Sequence, residues 1–548
     1  MFIFKKYFKL IFPLAFYNNV LKFRILVKHF LIIYPKLRKQ LNPKKIEFSD
    51  EKSINDERIL FTLIETSHYQ HLQLLILAKT LQIRGAKVKV LVCDGFLEGC
   101  EIKSVKNISD PNPCWSCKHH LKNVLPFFQL DTIKYEDLIS SEKKIDINML
   151  SKKLNLNEDL VFDDEIDLNR AIADSITRYY YGGAPLNIDE YNSIRTSHIS
   201  TALLSLAACE KLIEWNPTRI ISNMSVYSAW DPIKQFFDLK KIPFFLISIT
   251  QFNFNALQIN WPDLYSSSSR FEKWKNNRIN KYLSNNESKV LKNFLNKRYK
   301  GESDIFNSLK FFDNEFDINS FLKIDINKKN IFLFSNIFWD VGLSNSFSVF
   351  NGVVDWVLST IAIVKKNPHI QLYIKPHPGE VFDSSKSLKG VVDYIYDKYP
   401  ILPQNVTILQ PELKINTYNL IPYIDCGLIY NGTFGLELLL NDKPVIVCAD
   451  SPYSSLPGVS FPLDIYQYEE AILNHTNNKI NNSEINLFAY FYFIKTPIPW
   501  NLTNKAYGDD FSGFNLDSLN DLKEYNNIYL DHLVNSIINS EKTIIENW

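Results

Sequence analysis

Glycine is scarce in this chain, with 16 in 548 residues, and methionine scarcer, with three. So little glycine excludes a collagen-like or glycine-rich repetitive chain, and 46% hydrophobic residues exclude one too polar to bury a core. Seven cysteines are too few for a disulfide framework at this length and fit a reducing compartment. The phosphate-cradling loop Gly-x-x-x-x-Gly-Lys-Ser/Thr is absent. Acidic residues are missing altogether from positions 1–46, which hold 11 Lys and Arg; after them, 50 bases face 60 acids. A net charge of +1 therefore hides a basic leader and an acidic body.

The leader, about residues 1–50, interleaves Lys5, Lys6, Lys9, Lys22, Arg24 and Lys28 with Phe4, Phe8, Phe12, Phe16, Phe23 and Phe30. Its longest uncharged run, Leu10 to Leu21, has 12 residues, well short of the roughly 20 that span a bilayer. No small-residue cleavage site follows, so it does not read as a signal peptide, and the cytoplasm is the expected compartment. Two readings stand. One is an interfacial segment, with aromatics at the acyl boundary and cations on anionic head groups, which makes the protein peripheral at the cytoplasmic face of the inner membrane. The other is a basic helix packed on the acidic body. No nucleic-acid motif follows the leader, so nucleic acid is not an expected partner.

What is present is alternation. Apolar runs of strand length at Arg58–Ile64, Lys87–Cys93, Arg219–Ser222 and Pro243–Ile249 are separated by helical patterns, as in βαβ units with a buried parallel sheet. Residues 111–200 are charged and mostly helical, like an insertion. The alternation restarts at Asn330–Ser335 and continues through Ile370–Ile374, Val406–Leu409, Cys426–Tyr430 and Val445–Cys448. The expected organisation is an N-terminal Rossmann-like domain over 51–325 carrying that insertion, a second Rossmann-like domain over 326–470, and a helical tail over 471–548. Two doubly wound α/β domains facing a cleft make a GT-B-like fold.

Two stretches place polar residues where an apolar strand gives way to a turn, the position at which open α/β sheets keep their ligands. In IKPHPGE, His377 stands on a turn stiffened by Pro376 and Pro378, and Gly379 permits close approach. An imidazole there can donate to a phosphate oxygen; the alternative is a histidine that caps its own loop. In YNGTFGLE, Asn431, Gly432, Thr433 and Gly435 end a strand and open a helix, offering backbone N–H groups and a hydroxyl to an anion. Glu437 is placed to accept from ribose hydroxyls, or simply complements the helix dipole.

Together IKPHPGE and YNGTFGLELLLNDKPVIV resemble the capsule polysaccharide biosynthesis family, which includes the Kdo transferases that build the capsule's lipid linker. The resemblance implies a CMP-activated sugar donor, with His377 and Thr433 at its phosphate and Gly435 and Glu437 completing the pocket. Asn441-Asp442 replaces the family's small residue before Lys443-Pro444. SNIFWD resembles a strand-end segment of related proteins, which would bring Trp339 and Asp340 to the cleft. The resemblance covers about residues 330 to 455.

Glycosyl transfer needs a stabilised phosphate leaving group and a positioned acceptor hydroxyl, neither of which requires a metal cofactor. A base or nucleophile should come from the facing domain, whose strand ends offer Glu65, His68 and Asp94; each has a plain alternative as a loop cap or solvent-facing residue. Separately, Cys93, Cys100, Cys114 and Cys117 lie close in sequence, the last two as CWSC. They could close a structural zinc site, or be a buried strand-end thiol with unrelated neighbours. The expected partners are a CMP- or UDP-linked sugar and a glycan or lipid-linked glycan acceptor. The competing readings are a sugar-nucleotide 2-epimerase or polyol-phosphate transferase of the same shape, and a non-catalytic nucleotide-binding scaffold of a capsule assembly complex.

Overall fold

The computed structural model describes residues 54, 56–64, 68–105, 114–155, 160–162, 165–250, 256–260, 267–300, 318, 322, 324–325, 327–340, 348–381, 385–474, 480–502, 515–516 and 518–539, with 23 and 27. The basic leader therefore lies outside the described residues. Among them, no helix is long and apolar enough to cross a membrane.

Strands β1 (Arg58–Leu63), β2 (Lys87–Val92), β3 (Asp131–Lys134), β4 (Arg219–Ser222) and β5 (Phe244–Ile249) run parallel, and β6 (Ala256–Asn260) joins β5 antiparallel. Helix α1 (His68–Ile83) connects β1 to β2, α2 (Cys114–Asn123) precedes β3, and α3 (Ser141–Leu154), α4 (Asn169–Tyr180) and α5 (Ile188–Leu212) lead to β4. Helix α6 (Tyr227–Leu239) follows β4, and α7 (Ser267–Asn277) and α8 (Asn285–Tyr299) come after β6. A second, all-parallel sheet is made of β7 (Lys329–Phe334), β8 (Ile370–Lys375), β9 (Val406–Ile408), β10 (Cys426–Ile429), β11 (Val445–Val447) and β12 (Val459–Ser460). Its helices are α9 (Val353–Lys365), α10 (Val391–Lys398), α11 (Phe434–Leu439) and α12 (Ile465–Asn474). Helix α13 (Asn482–Tyr490), strand β13 (Ile498–Pro499) and helix α14 (Ile528–Ile538) complete the chain.

The first sheet has the order β3-β2-β1-β4-β5-β6-β13 and the second β9-β8-β7-β10-β11-β12. Each reverses direction of growth beside its first strand, as in the doubly wound order 3-2-1-4-5-6. The fold is thus two Rossmann-like domains of the GT-B type. The reason these strands read as unbroken apolar runs is visible in β1 and β7. Successive side chains point to opposite faces, and both faces are covered. Ile59, Phe61 and Leu63 enter one core while Leu60 enters another; Phe332 and Phe334 enter one while Ile331 and Leu333 enter another.

Three expectations about organisation change. Strand β3 falls inside residues 111–200, so the segment between β2 and β4 is not purely an inserted helical block. Its DTIK sequence is only partly buried at the sheet edge, and this removes the apolar run that marks central strands. The helices before β7 belong to the second domain and not the first: Phe271 and Trp274 of α7 and Leu291 of α8 share a core with Phe488 and Phe491. The tail divides. Helix α13 stays with the second domain, whereas β13 pairs with β6 and α14 buries Leu530, Leu533, Val534 and Ile537 against the first. Arg84 fastens the return through an ion pair with Asp531 at 2.6 Å, and Arg219 donates to the Ile537 carbonyl at 2.8 Å.

Candidate active site

At the switch point of the second sheet, the carboxyl ends of β7, β8 and β10 are tied together by side chains. Ser335, just past β7, receives the His377 backbone N–H on its Oγ at 3.2 Å. Asn336 donates from Nδ2 to Asn431 Oδ1 at 3.1 Å, bridging β7 to β10. The Pro-His-Pro-Gly turn follows β8 directly, with its prolines removing backbone freedom. Ile337 and the His377 ring lie so close to Gly379 that a Cβ there has no room.

The His377 tautomer follows from this turn. Nδ1 accepts the Gly379 N–H at 3.0 Å, so in the neutral ring the proton sits on Nε2, which is left as a donor. Burial, helped by Lys375 nearby, lowers its pKa to about 4. At neutral pH it is an uncharged imidazole presenting one N–H. Glu380, two residues beyond Pro378, is buried and accepts the Val391 N–H at the start of α10 at 3.2 Å. Burial raises its carboxyl to about 7.

The second loop is held from behind. Phe434 meets Phe334 edge to face at 4.6 Å between ring centroids, and Tyr453 donates its hydroxyl to the Gly432 carbonyl while filling the space beside Gly435. Arg298, in the last turn of α8, reaches into this loop. Its Nε bonds Glu437 Oε1, and its Nη2 lies 3.5 Å from Thr433 Oγ1. Glu437 is fully buried, so the expected ribose contact is corrected: its carboxylate faces the interior, where an arginine compensates the loss of water. Sequence reasoning missed Arg298. The only local signal was the Ser284/Glu287 capping box that starts α8, and it says nothing about which face meets the loop.

Trp339 and Asp340 sit where the two domains touch. The Trp339 indole N–H donates to Ser387 Oγ at 2.8 Å. Its ring lies 4.4 Å from that of Tyr181, and the Arg178 guanidinium stands 4.9 Å from its centroid and 3.9 Å from Asp340. The backbone continues the contact: the Leu388 N–H donates to the Tyr181 carbonyl at 2.9 Å and the Tyr394 hydroxyl to that of Gly182 at 3.1 Å. Phe338 packs over Gly182, whose φ of +75° suits glycine. These residues join the domains, a role the strand-end position alone did not reveal.

Of the proposed first-domain residues, Glu65 lies outside the described residues, as does the side chain of His68, which opens α1. Asp94 adopts a φ of +48° and pairs with Lys134 at 2.7 Å. Cys93, Cys100, Cys114 and Cys117 are half-buried without disulfides, and among the described residues no three His, Cys, Asp or Glu side chains gather as metal ligands. Cys93 ends a buried strand, where its Sγ receives the Leu97 N–H at 3.5 Å and burial pushes the thiol up.

No family model matches the chain, and no curated protein matches it. Solved structures with a similar fold include KpsC, a beta Kdo 2,4 transferase of Thermosulfurimonas dismutans. It is 14% identical with a TM-score of 0.34, over 56% of this chain and 87% of that one. The UDP-GlcNAc 2-epimerase of Neisseria meningitidis bound to UDP-GlcNAc is 11% identical with a TM-score of 0.26, over 79% and 98%. HepE of Anabaena in complex with UDP and glucose is 12% identical with a TM-score of 0.25, over 80% and 94%. None of these scores assigns a reaction.

Proposed function

We propose that the protein is a metal-independent GT-B glycosyltransferase of capsule or other surface polysaccharide biosynthesis, with a nucleotide-activated sugar as donor and a CMP-Kdo-like donor favoured. The observation that carries this reading is the His377 turn. A neutral imidazole locked as an Nε2 donor, one strand from the Asn431–Gly435 loop, supplies fixed hydrogen bonding to a phosphate oxygen. Donors held in place before the reaction stabilise the negative charge that grows on a leaving nucleotide, because no reorganisation is needed as the glycosidic bond breaks.

In this mechanism the second domain holds the donor. His377 donates to the phosphate, the Gly432–Gly435 backbone and the Thr433 hydroxyl complete the anion seat, and the Arg298–Glu437 pair fixes the loop from the interior. The first domain presents the acceptor, a glycan or lipid-linked glycan. The basic leader would hold the protein at the cytoplasmic face of the membrane, where such an acceptor is found. The test is nucleotide release by purified protein from a panel of CMP- and UDP-sugars, with His377→Ala as the control. Release from at least one donor that drops sharply in the variant supports the reading; tight nucleotide binding without turnover of any donor refutes it.

A further inference from the structure

Residues 385–394 of the second domain do two things at once. They brace the His377 turn: Ser385 Oγ donates to the Gly379 carbonyl at 2.7 Å, and the Ser387 N–H donates to the Glu380 carbonyl at 2.9 Å. The Glu380 carboxylate answers by accepting the Val391 N–H. They also hold the first domain, because the Leu388 N–H and the Tyr394 hydroxyl donate to the Tyr181 and Gly182 carbonyls. Those carbonyls stand at the end of α4, where a helix leaves acceptors that its own turns cannot satisfy. Here the donors come from the other domain.

Ser387 is where the two sets of bonds meet, and it is 6% exposed. Its N–H goes to the turn, and its Oγ receives the Trp339 indole N–H at 2.8 Å. The next N–H along the chain, that of Leu388, crosses to the first domain at 2.9 Å. Trp339 itself lies against Tyr181. From the Tyr181 carbonyl to the His377 turn, the path is therefore two backbone hydrogen bonds with one residue between them. Peptide planes are rigid, and a close-packed interior passes a displacement on instead of absorbing it.

We infer that Ser387 is a positioning residue for the His377 turn: with Trp339 it couples the turn to the domain contact, so the turn keeps its geometry only while Tyr181 and Gly182 are engaged. The alternative is that these bonds add stability alone; breaking them would then lower melting and leave the turn as it was. The role of His377 at a phosphate rests on the glycosyl-transfer reading, whereas the coupling is a matter of backbone geometry.

The experiment uses the full chain. Gly182→Ala acts from the first domain, since φ there is +75° and a Cβ collides with Phe338 and crowds the Lys389 carbonyl. Trp339→Phe is milder: it deletes the N–H given to Ser387 and keeps a ring beside Tyr181. Hydrogen exchange read by mass spectrometry should show the turn amides of His377, Gly379 and Glu380 exchanging on the order of ten-fold faster in both variants, with β7 and β8 as protected as in the wild type. With the donor found in the release assay, Ser387→Ala and Trp339→Phe should each lower kcat about ten-fold at a nearly unchanged KM. Adding either to His377→Ala should cost nothing more, because both act through that side chain. Unchanged exchange in the turn, a uniform loss of protection across the second sheet, or kcat losses that add to that of His377→Ala overturn the inference. Faster exchange in the turn alongside full activity of His377→Ala supports the coupling and counts against the donor reading instead.

Discussion

The two sheets have the same strand order, yet their switch points are furnished differently. In the second domain the polar groups come from two compact loops, Pro376–Gly379 and Asn431–Gly435, each attached to the strand end it serves. In the first they come from Glu101, Ser175, His198 and Ser228, spread over four elements and joined by hydrogen bonds. The first arrangement follows from local sequence, because each loop continues its own strand; the second arises only through tertiary packing, which brings separate helices and loops together.

This contrast can be broken experimentally. The largest effect should come from Arg298→Met, which leaves the Glu437 carboxylate buried without its cation. Chemical denaturation should show a loss of about 3–5 kcal/mol, most of it restored by adding Glu437→Gln. If Arg298→Met alone is harmless, the donor loop does not depend on the distant helix. Next is His377→Ala: turnover of the accepted sugar nucleotide should fall on the order of 10²-fold, near the cost of removing one oxyanion donor, with little change in melting. Retention of full rate would remove the turn from the site. Gly435→Ala should cost about 1–3 kcal/mol by forcing Tyr453 aside, and Tyr453→Phe in that background should return part of it.

The smallest effect is a pH dependence within one turn. The His377 pKa falls from 6.5 to about 4 on folding, so the unfolded chain binds more protons in that window and stability rises with pH across it. Glu380 moves the other way, from 4.5 to about 7, so its contribution is lost as pH rises through that range. The two slopes oppose each other between about pH 4.5 and 6.5. In Glu380→Gln, denaturation midpoints should climb from pH 4 to 6.5, and in His377→Asn they should decline from 4.5 to 7. Parallel curves for both variants and the wild type would mean that the turn is not buried in solution.

The same division explains what could be read from sequence. Central strands such as Arg219–Ser222 and Ile370–Lys375 are covered on both faces, so continuous apolar runs announced them, and the loops at their ends were legible with them. The edge strand Val406–Ile408 was read too, but two others were not: Asp131–Lys134 has no apolar run, and Ile498–Pro499 is two residues long with a proline. Arg298 and Arg178 were illegible because their meaning lies in pairing across more than a hundred residues and, for Arg178, across the domain contact. Glu437 was legible as a helix-start carboxylate, and misread because only packing decides whether such a group faces solvent or the interior.

The return of the chain to its first sheet also orders events in time. Strand β13 and helix α14 emerge from the ribosome after the whole of the second domain, so the first core must wait with its α14-facing apolar surface uncovered. At roughly 5–20 residues per second, that interval is on the order of ten seconds to a minute. During synthesis, the half that is made first is therefore the half that finishes last, and the one a chaperone would be needed to guard.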